Sequence, residues 1–244
     1  LLGNANIMPL WIPPLIAFLA GSIPFGLFIA KAKGVNIREH GSGNIGATNV
    51  LRVVGKKYGI SCFFLDFLKG LIPTFIAINL IRFNQPADAV AKNFMLLPAL
   101  QGSATYLSQI NAQGLHILTG LCAVMGHNYS PWVNFKGGKG VATSAGVITA
   151  LAPFGLLVLG IIWYIAFKLT RYVSFASILA SVALPLIVVY GSWSHGKFEN
   201  GTWNKPLLAF SLFIALMSVW KHRTNIQKLM NGTENRFTPK NKKS

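Results

Sequence analysis

Long apolar runs, broken by short polar and glycine-rich stretches, set the terms on which this chain can fold. A helix crossing about 30 Å of hydrocarbon needs roughly 20 mostly apolar residues. Six segments meet or approach that requirement: Ile7–Ala30, Tyr58–Phe83, Leu115–His127, Leu151–Lys168, Val173–Tyr190 and Pro206–Trp220. A shorter run, Gly140–Ala150, makes a seventh. Ala91–Ile110 is also apolar, but Pro98, Gly102 and its polar residues predict an interfacial or looped segment. The expected fold class is therefore all-α: a polytopic membrane protein of about seven spans, one of them short. Residues 1–237 read as a single membrane-embedded domain and 238–244 as a basic tail. The first run is long and lacks a positive n-region, so it reads as a retained span and not as a cleaved leader.

Charge orients these spans. The chain carries 22 Lys and Arg against 5 Asp and Glu, a net charge of +17, although only 11% of its residues are charged. With the N-terminus outside, seventeen of the 22 cations fall on the cytoplasmic side, as the retention of Lys and Arg inside requires. Arg82, Lys92, Lys197 and Lys205 fall outside, and Lys69 lies within a span. Placing Lys168 and Arg171 inside requires Gly140–Ala150 to cross. A nucleic-acid partner needs a basic face on a soluble module, and here the cations sit between apolar runs. Cys62 and Cys122 lie in apolar stretches without metal-ligand spacing and read as small core residues. Neither a metal nor a cofactor is expected.

Three polar stretches fall on the same cytoplasmic side. The first, Gly41–Arg52 (GSGNIGATNVLR), opens as G-x-G-x-x-G, with Asp66 at a dinucleotide-fold distance. That fold needs a buried strand before the glycines, and Lys31–His40 is polar. What remains is an anion-friendly loop. Its glycines bring backbone N–H groups close, Ser42, Asn44, Thr48 and Asn49 offer uncharged donors, and Arg52 offers a planar fork. The second stretch joins Gly126-His127-Asn128 to Phe135–Thr143 (FKGGKGVAT) and runs into the short span. It lacks Walker spacing, but Gly137, Gly138, a helix N-terminus and Lys139 together suit a phosphate monoester. In the third, Lys221–Glu234 (KHRTNIQKLMNGTE), His222 and Asn225 share one face of a short interfacial helix that stops near Asn231-Gly232. Ser174 and Ser177 open a span on that side too. Asp66 and Lys69, three apart inside a span, read as a structural ion pair or a link to a cationic loop.

These three stretches, in this order, with Gly21-Ser22-Ile23-Pro24-Phe25-Gly26 and Asp66–Gly70, resemble the bacterial membrane acyl-phosphate:glycerol-3-phosphate acyltransferases of the PlsY type. The resemblance runs from about Gly21 to Phe237. It implies a seven-helix inner-membrane enzyme that moves a fatty acyl group from acyl phosphate to glycerol 3-phosphate. The products would be lysophosphatidic acid and phosphate, at the first step of phospholipid synthesis. It also implies essential roles for Ser42 and Arg52, glycerol 3-phosphate binding at Gly137, Gly138 and Lys139, activity dependent on His222 and Asn225, and a structural role for Glu234. One departure is the stretch from about Asn84 to Gln113, longer and more apolar than the family's usual connection.

Acyl phosphate is a mixed anhydride, so its leaving group needs no metal. The expected site holds glycerol 3-phosphate with Lys139, the Gly137 and Gly138 amides, Arg52 and His222. Ser42 and Ser174 then orient the acyl phosphate, with its tail in a groove between spans. The proton acceptor is either His222 or a substrate phosphate oxygen, with the second favoured because His222 has no sequence-local carboxylate. An organic-phosphate transporter is the alternative from another class, and a thioester donor or another acceptor the alternative chemistry. A transporter needs polar groups near the midplane reached from both faces.

Overall fold

A computed structural model of the chain describes residues 10–80, 104–199, 201 and 203–237, and all regular structure among them is helical. In chain order the helices are α1 (Ile12–Ser22), α2 (Phe25–Lys31), α3 (Ala47–Val53), α4 (Lys56–Leu80), α5 (Ala104–Asn128), α6 (Val141–Leu151), α7 (Pro153–Thr170), α8 (Val173–Ser194), α9 (Lys205–Lys221) and α10 (Arg223–Met230). Among the described residues, four segments are long and apolar enough to cross a membrane: Ile12–Lys31, Lys56–Asn79, Pro153–Thr170 and Val173–Ser194.

The expected first span is two helices. Pro24 has no N–H to donate and disfavours helical geometry in the residue before it. Ile23 accordingly sits at φ −61°, ψ 117°, and the path breaks there. At the break the carbonyl of Ile23 accepts the Phe25 amide at 3.1 Å and also Lys69 Nζ at 2.8 Å.

The third span is longer than the apolar pattern predicts. α5 runs 25 residues from Ala104, so the looped reading of Ala91–Ile110 fails over 104–110. Ser108, Gln109, Asn111 and Gln113 interrupt the apolar run without interrupting the helix. The rest of the 84–113 connection, with Arg82 and Lys92, lies outside the described residues, as does the tail 238–244. Arg52, Thr48 and Asn49, expected in a loop, lie on α3. α6 spans 11 residues, a rise of about 16 Å, or half a hydrocarbon core. It pairs with α7, which returns the chain to the end where α6 began.

Apolar surface points outward. On α7, Leu157, Ile161, Ile165 and Leu169 are all more than half exposed, whereas Leu159 and Ala166 are buried. That is the pattern of a helix facing hydrocarbon. Inside, helices approach through glycine. A Cβ on Gly21 would overlap the carbonyl of Ala123, and one on Gly126 the carbonyl of Phe18, which locks α1 on α5. Gly70 against Thr143 and Gly146 against Phe67 do the same for α4 and α6. Close backbone packing here takes the place of the large interdigitated side chains of a water-soluble core.

Candidate active site

The first polar stretch is shaped by Asn49. Its side chain is 2% exposed, and its Nδ2 lies 3.2, 3.0 and 2.9 Å from the carbonyls of Ile37, His40 and Asn44. Its Oδ1 accepts the Ser42 amide at 2.9 Å. Asn49 therefore folds the loop rather than offering a donor to a ligand, a correction to its expected role. Gly41 and Gly43, at φ +64° and +68°, supply the left-handed turns this wrapping requires. Asn44 Oδ1 accepts the Gly46 amide at 3.0 Å and leads the chain into α3. One helical turn separates Thr48 from Arg52, and both face the same cavity. Arg52 donates to the carbonyl of Asn235 at 3.0 Å and stands 5.4 Å over the ring of Phe237. Burial pulls its pKa down, and the nearby Glu234 opposes that pull.

In the second stretch, Gly138 departs from its expected role. Its amide donates to the carbonyl of His127 at 3.1 Å, so it is not free for a phosphate. A Cβ on Gly138 would collide with His127 Nε2, and one on Gly137 with the His127 carbonyl. The glycines are needed because this loop lies flat on the end of α5. Gly140, at φ +77°, then starts α6. Arg38 donates to the carbonyl of Lys136 at 2.5 Å and ties the first loop to the second. Lys139 reaches across to Asn225 Oδ1 at 2.5 Å. Its pKa falls to about 8, chiefly through burial, with Glu234 opposing and Lys228 and Arg52 adding to the fall.

The third stretch completes a chain of contacts. Asn225 Nδ2 donates to Glu234 Oε1 at 2.8 Å, and the Ser174 hydroxyl donates to the same oxygen at 2.9 Å. Lys139, Asn225, Glu234 and Ser174 are thus one connected row. Ser177 accepts Trp163 Nε1 at 3.1 Å. His222, 3% exposed, lies between α9 and α10 with Nδ1 2.8 Å from the carbonyl of Ser218. A carbonyl only accepts, so Nδ1 carries the proton and Nε2 is the acceptor. Burial first, then Lys139, pushes the His222 pKa down to about 4. α10 ends as expected: Gly232 takes φ +69°, and Thr233 N donates to the carbonyl of Lys228 at 2.8 Å.

All three stretches open on one cavity of about 1170 Å³. Ser42, Asn44, Thr48, Arg52, Lys139, Ser174, Ser177, His222, Asn225 and Glu234 line its polar end, and apolar residues of α4, α6, α7, α8 and α9 line the remainder. A smaller recess of about 220 Å³ adjoins it, lined by Ser42, Asn44, Gly137, Lys139 and Asn225 together with Arg38 and Lys228. Arg38 and Lys228 were not among the expected site residues. Lys228 lies three residues after Asn225, on the same helical face, and that spacing was the available signal. Asp66 and Lys69 form the expected ion pair at 2.7 Å.

A family model described as glycerol-3-phosphate acyltransferase matches residues 11–232. A glycerol-3-phosphate acyltransferase from Aquifex aeolicus is 39% identical over 223 residues, covering 91% of this chain and 96% of that protein. One from Geotalea daltonii is 41% identical over 221 residues, covering 91% and 94%. Among solved structures, the glycerol 3-phosphate form of PlsY, an integral membrane glycerol 3-phosphate acyltransferase, superimposes with a TM-score of 0.75 at 37% identity, covering 94% of this chain and 96% of that one. Its lysophosphatidic acid form gives 0.73 at 36% identity, covering 94% and 95%. On sequence and fold together, the chain belongs to the glycerol-3-phosphate acyltransferase family.

Proposed function

We propose that this membrane acyltransferase moves a fatty acyl group from acyl phosphate to glycerol 3-phosphate, forming lysophosphatidic acid and inorganic phosphate. The observation that carries the reading is a single cavity with a cationic, hydroxyl-rich end and long apolar walls. A phosphorylated head fits the first and an acyl tail the second. The named ligands of the two related structures, glycerol 3-phosphate and lysophosphatidic acid, are an acceptor and a product of that shape. The site belongs on the cytoplasmic face of the inner membrane, in a seven-span arrangement with the N-terminus outside. The cations Lys31, Lys33, Lys56, Lys57, Lys168 and Arg223 cluster in sequence at the helix ends that carry the site.

In this reading Lys139 and Arg52 hold phosphate, and Ser42, Thr48 and Asn44 line the place where the second phosphate and the acyl carbonyl meet. The acceptor hydroxyl attacks the acyl carbon, the bond from that carbon to the phosphate oxygen breaks, and the hydroxyl proton ends on the departing phosphate. Alignment of the two bound substrates supplies most of the acceleration, and donors at the carbonyl oxygen add to it. His222, near pKa 4 in the free enzyme, is a weak base at neutral pH. A phosphate oxygen, with its second pKa near 6, lies closer to the useful range. His222 Nε2 therefore accepts the other hydroxyl of glycerol 3-phosphate and orients the molecule, while phosphate takes the proton of the attacking hydroxyl.

Purified protein in detergent, given acyl phosphate and glycerol 3-phosphate, is expected to release one phosphate per lysophosphatidic acid formed. No release, or an equal rate with an acyl thioester, would overturn the assignment.

A further inference from the structure

The buried cluster behind the polar end is not used by this chemistry. We infer that His127, set by Asp66, is a positioning residue that fixes the Gly137–Gly140 loop and so aims Lys139. This rests on the proposed role of that loop in holding glycerol 3-phosphate.

Groups from α4 and α5 converge on one carboxylate. Lys69 Nζ lies 2.7 Å from Asp66 Oδ1 and 2.8 Å from the Ile23 carbonyl at the α1–α2 break. The Asp66 group is thereby tied to the first helix pair. His127 Nδ1 lies 3.6 Å from the same Oδ1, and Cys62 Sγ 3.7 Å from Oδ2. Both residues border the cavity, but the facing atoms Asp66 Oδ1 and His127 Nδ1 are buried. At 3.6 Å the histidine contact is an electrostatic one rather than a hydrogen bond.

The other side of His127 carries the loop. Its carbonyl accepts the Gly138 amide at 3.1 Å, and its ring fills the space a Cβ on Gly138 would need. Lys139 is the next residue, so a rotation of the imidazole displaces the ammonium. Sub-ångström placement of this kind matters, because a shift of about 1 Å at a remote support costs on the order of 10²-fold in rate. A charged group inside a membrane protein is costly, and the loop gives this pair a task beyond mutual neutralisation.

The test is a double-mutant cycle on full-length protein in detergent. Gly138→Ala in the wild-type background is expected to lower kcat/KM for glycerol 3-phosphate on the order of 10²-fold. In a His127→Ala background, where the ring is gone, the same change is expected to cost less than about threefold. His127→Ala alone is expected to raise KM for glycerol 3-phosphate more than it lowers kcat. Replacing the pair, Asp66→Asn with Lys69→Met, leaves no unpaired buried charge and is expected to raise that KM about tenfold with the acyl phosphate KM unmoved. Independent, multiplicative losses in the cycle would overturn the inference. So would a loss in kcat alone with an altered pH profile, which would make His127 a base, or an unchanged KM in the neutral pair. Thermal midpoints of substrate-free protein read the same cycle, with His127→Asn as a second background. A wild-type enzyme inactive with these substrates would defeat the proposed function and leave the midpoint test standing.

Discussion

The two ends of the cavity are built on opposite principles. At the polar end almost every side chain holds another: Lys139 bonds Asn225, Asn225 and Ser174 bond Glu234, Asn49 binds its own loop, and His222 is fixed by Ser218. At the apolar end the walls carry few directional bonds. From Phe167 to Leu156 on α7 the lining descends about 16 Å, near half of a roughly 30 Å hydrocarbon core. There a Cβ on Gly160 would meet nothing within 4 Å. In the proposed reaction the first end fixes the reacting groups, and the second holds the acyl chain and limits its length. Substitutions should therefore cost rate at the first end and selectivity at the second.

The largest effect is expected at Lys139. Lys139→Ala removes a buried cation and leaves Asn225 and Glu234 without it, so kcat/KM for glycerol 3-phosphate should fall about 10²–10³-fold. Steady-state kinetics on correctly folded protein measure this, and a loss under threefold would mean that the row does not bind phosphate.

His222→Ala comes next. Loss of one oriented acceptor should raise KM for glycerol 3-phosphate about tenfold. A fall in kcat with no change in that dependence would instead favour His222 as the base.

At the opposite end, Gly160→Leu should leave the backbone and the polar end intact but intrude on the groove. The ratio of kcat/KM for long over short acyl phosphates is expected to fall about tenfold. An equal fall for every chain length would break the contrast between the two ends.

The smallest effect is in the pH profile. Lys139, held near pKa 8 in the free enzyme, loses its charge as pH rises through 8, so kcat/KM for glycerol 3-phosphate should decline above that point. kcat should decline less, because bound phosphate favours the ammonium. His222, near 4, stays neutral from pH 6 to 8 and should add no inflection there. A rise in kcat/KM above pH 8 would contradict this assignment.

Four of the expected spans were legible in the sequence, because hydrocarbon demands uninterrupted apolar length. The break at Pro24 was visible as a residue but not as a consequence. Only the structure shows that Lys69 reaches the Ile23 carbonyl at that break. α3 and the start of α5 were obscured for one physical reason: both carry polar residues, and a polar run reads as loop; on α3 those side chains line the cavity or fold its loop. The polar residues that line the cavity were legible as types, because the sequence sets glycine, amide and cation together at the ends of apolar runs. Their wiring was not. Nothing local marks Asn49 as a loop clamp or shows that the His127 carbonyl takes up the Gly138 amide, since both sets of partners arrive through the turn geometry. Arg38 and Lys228 were masked by the excess of cations, which orientation in the membrane explains equally well.

The central claim is that one cavity aligns both substrates for direct transfer. Initial rates measured while both acyl phosphate and glycerol 3-phosphate are varied test it most directly. Intersecting reciprocal plots, with no phosphate burst when glycerol 3-phosphate is withheld, are the expected result. Parallel plots with such a burst would show an acyl-enzyme intermediate and contradict it.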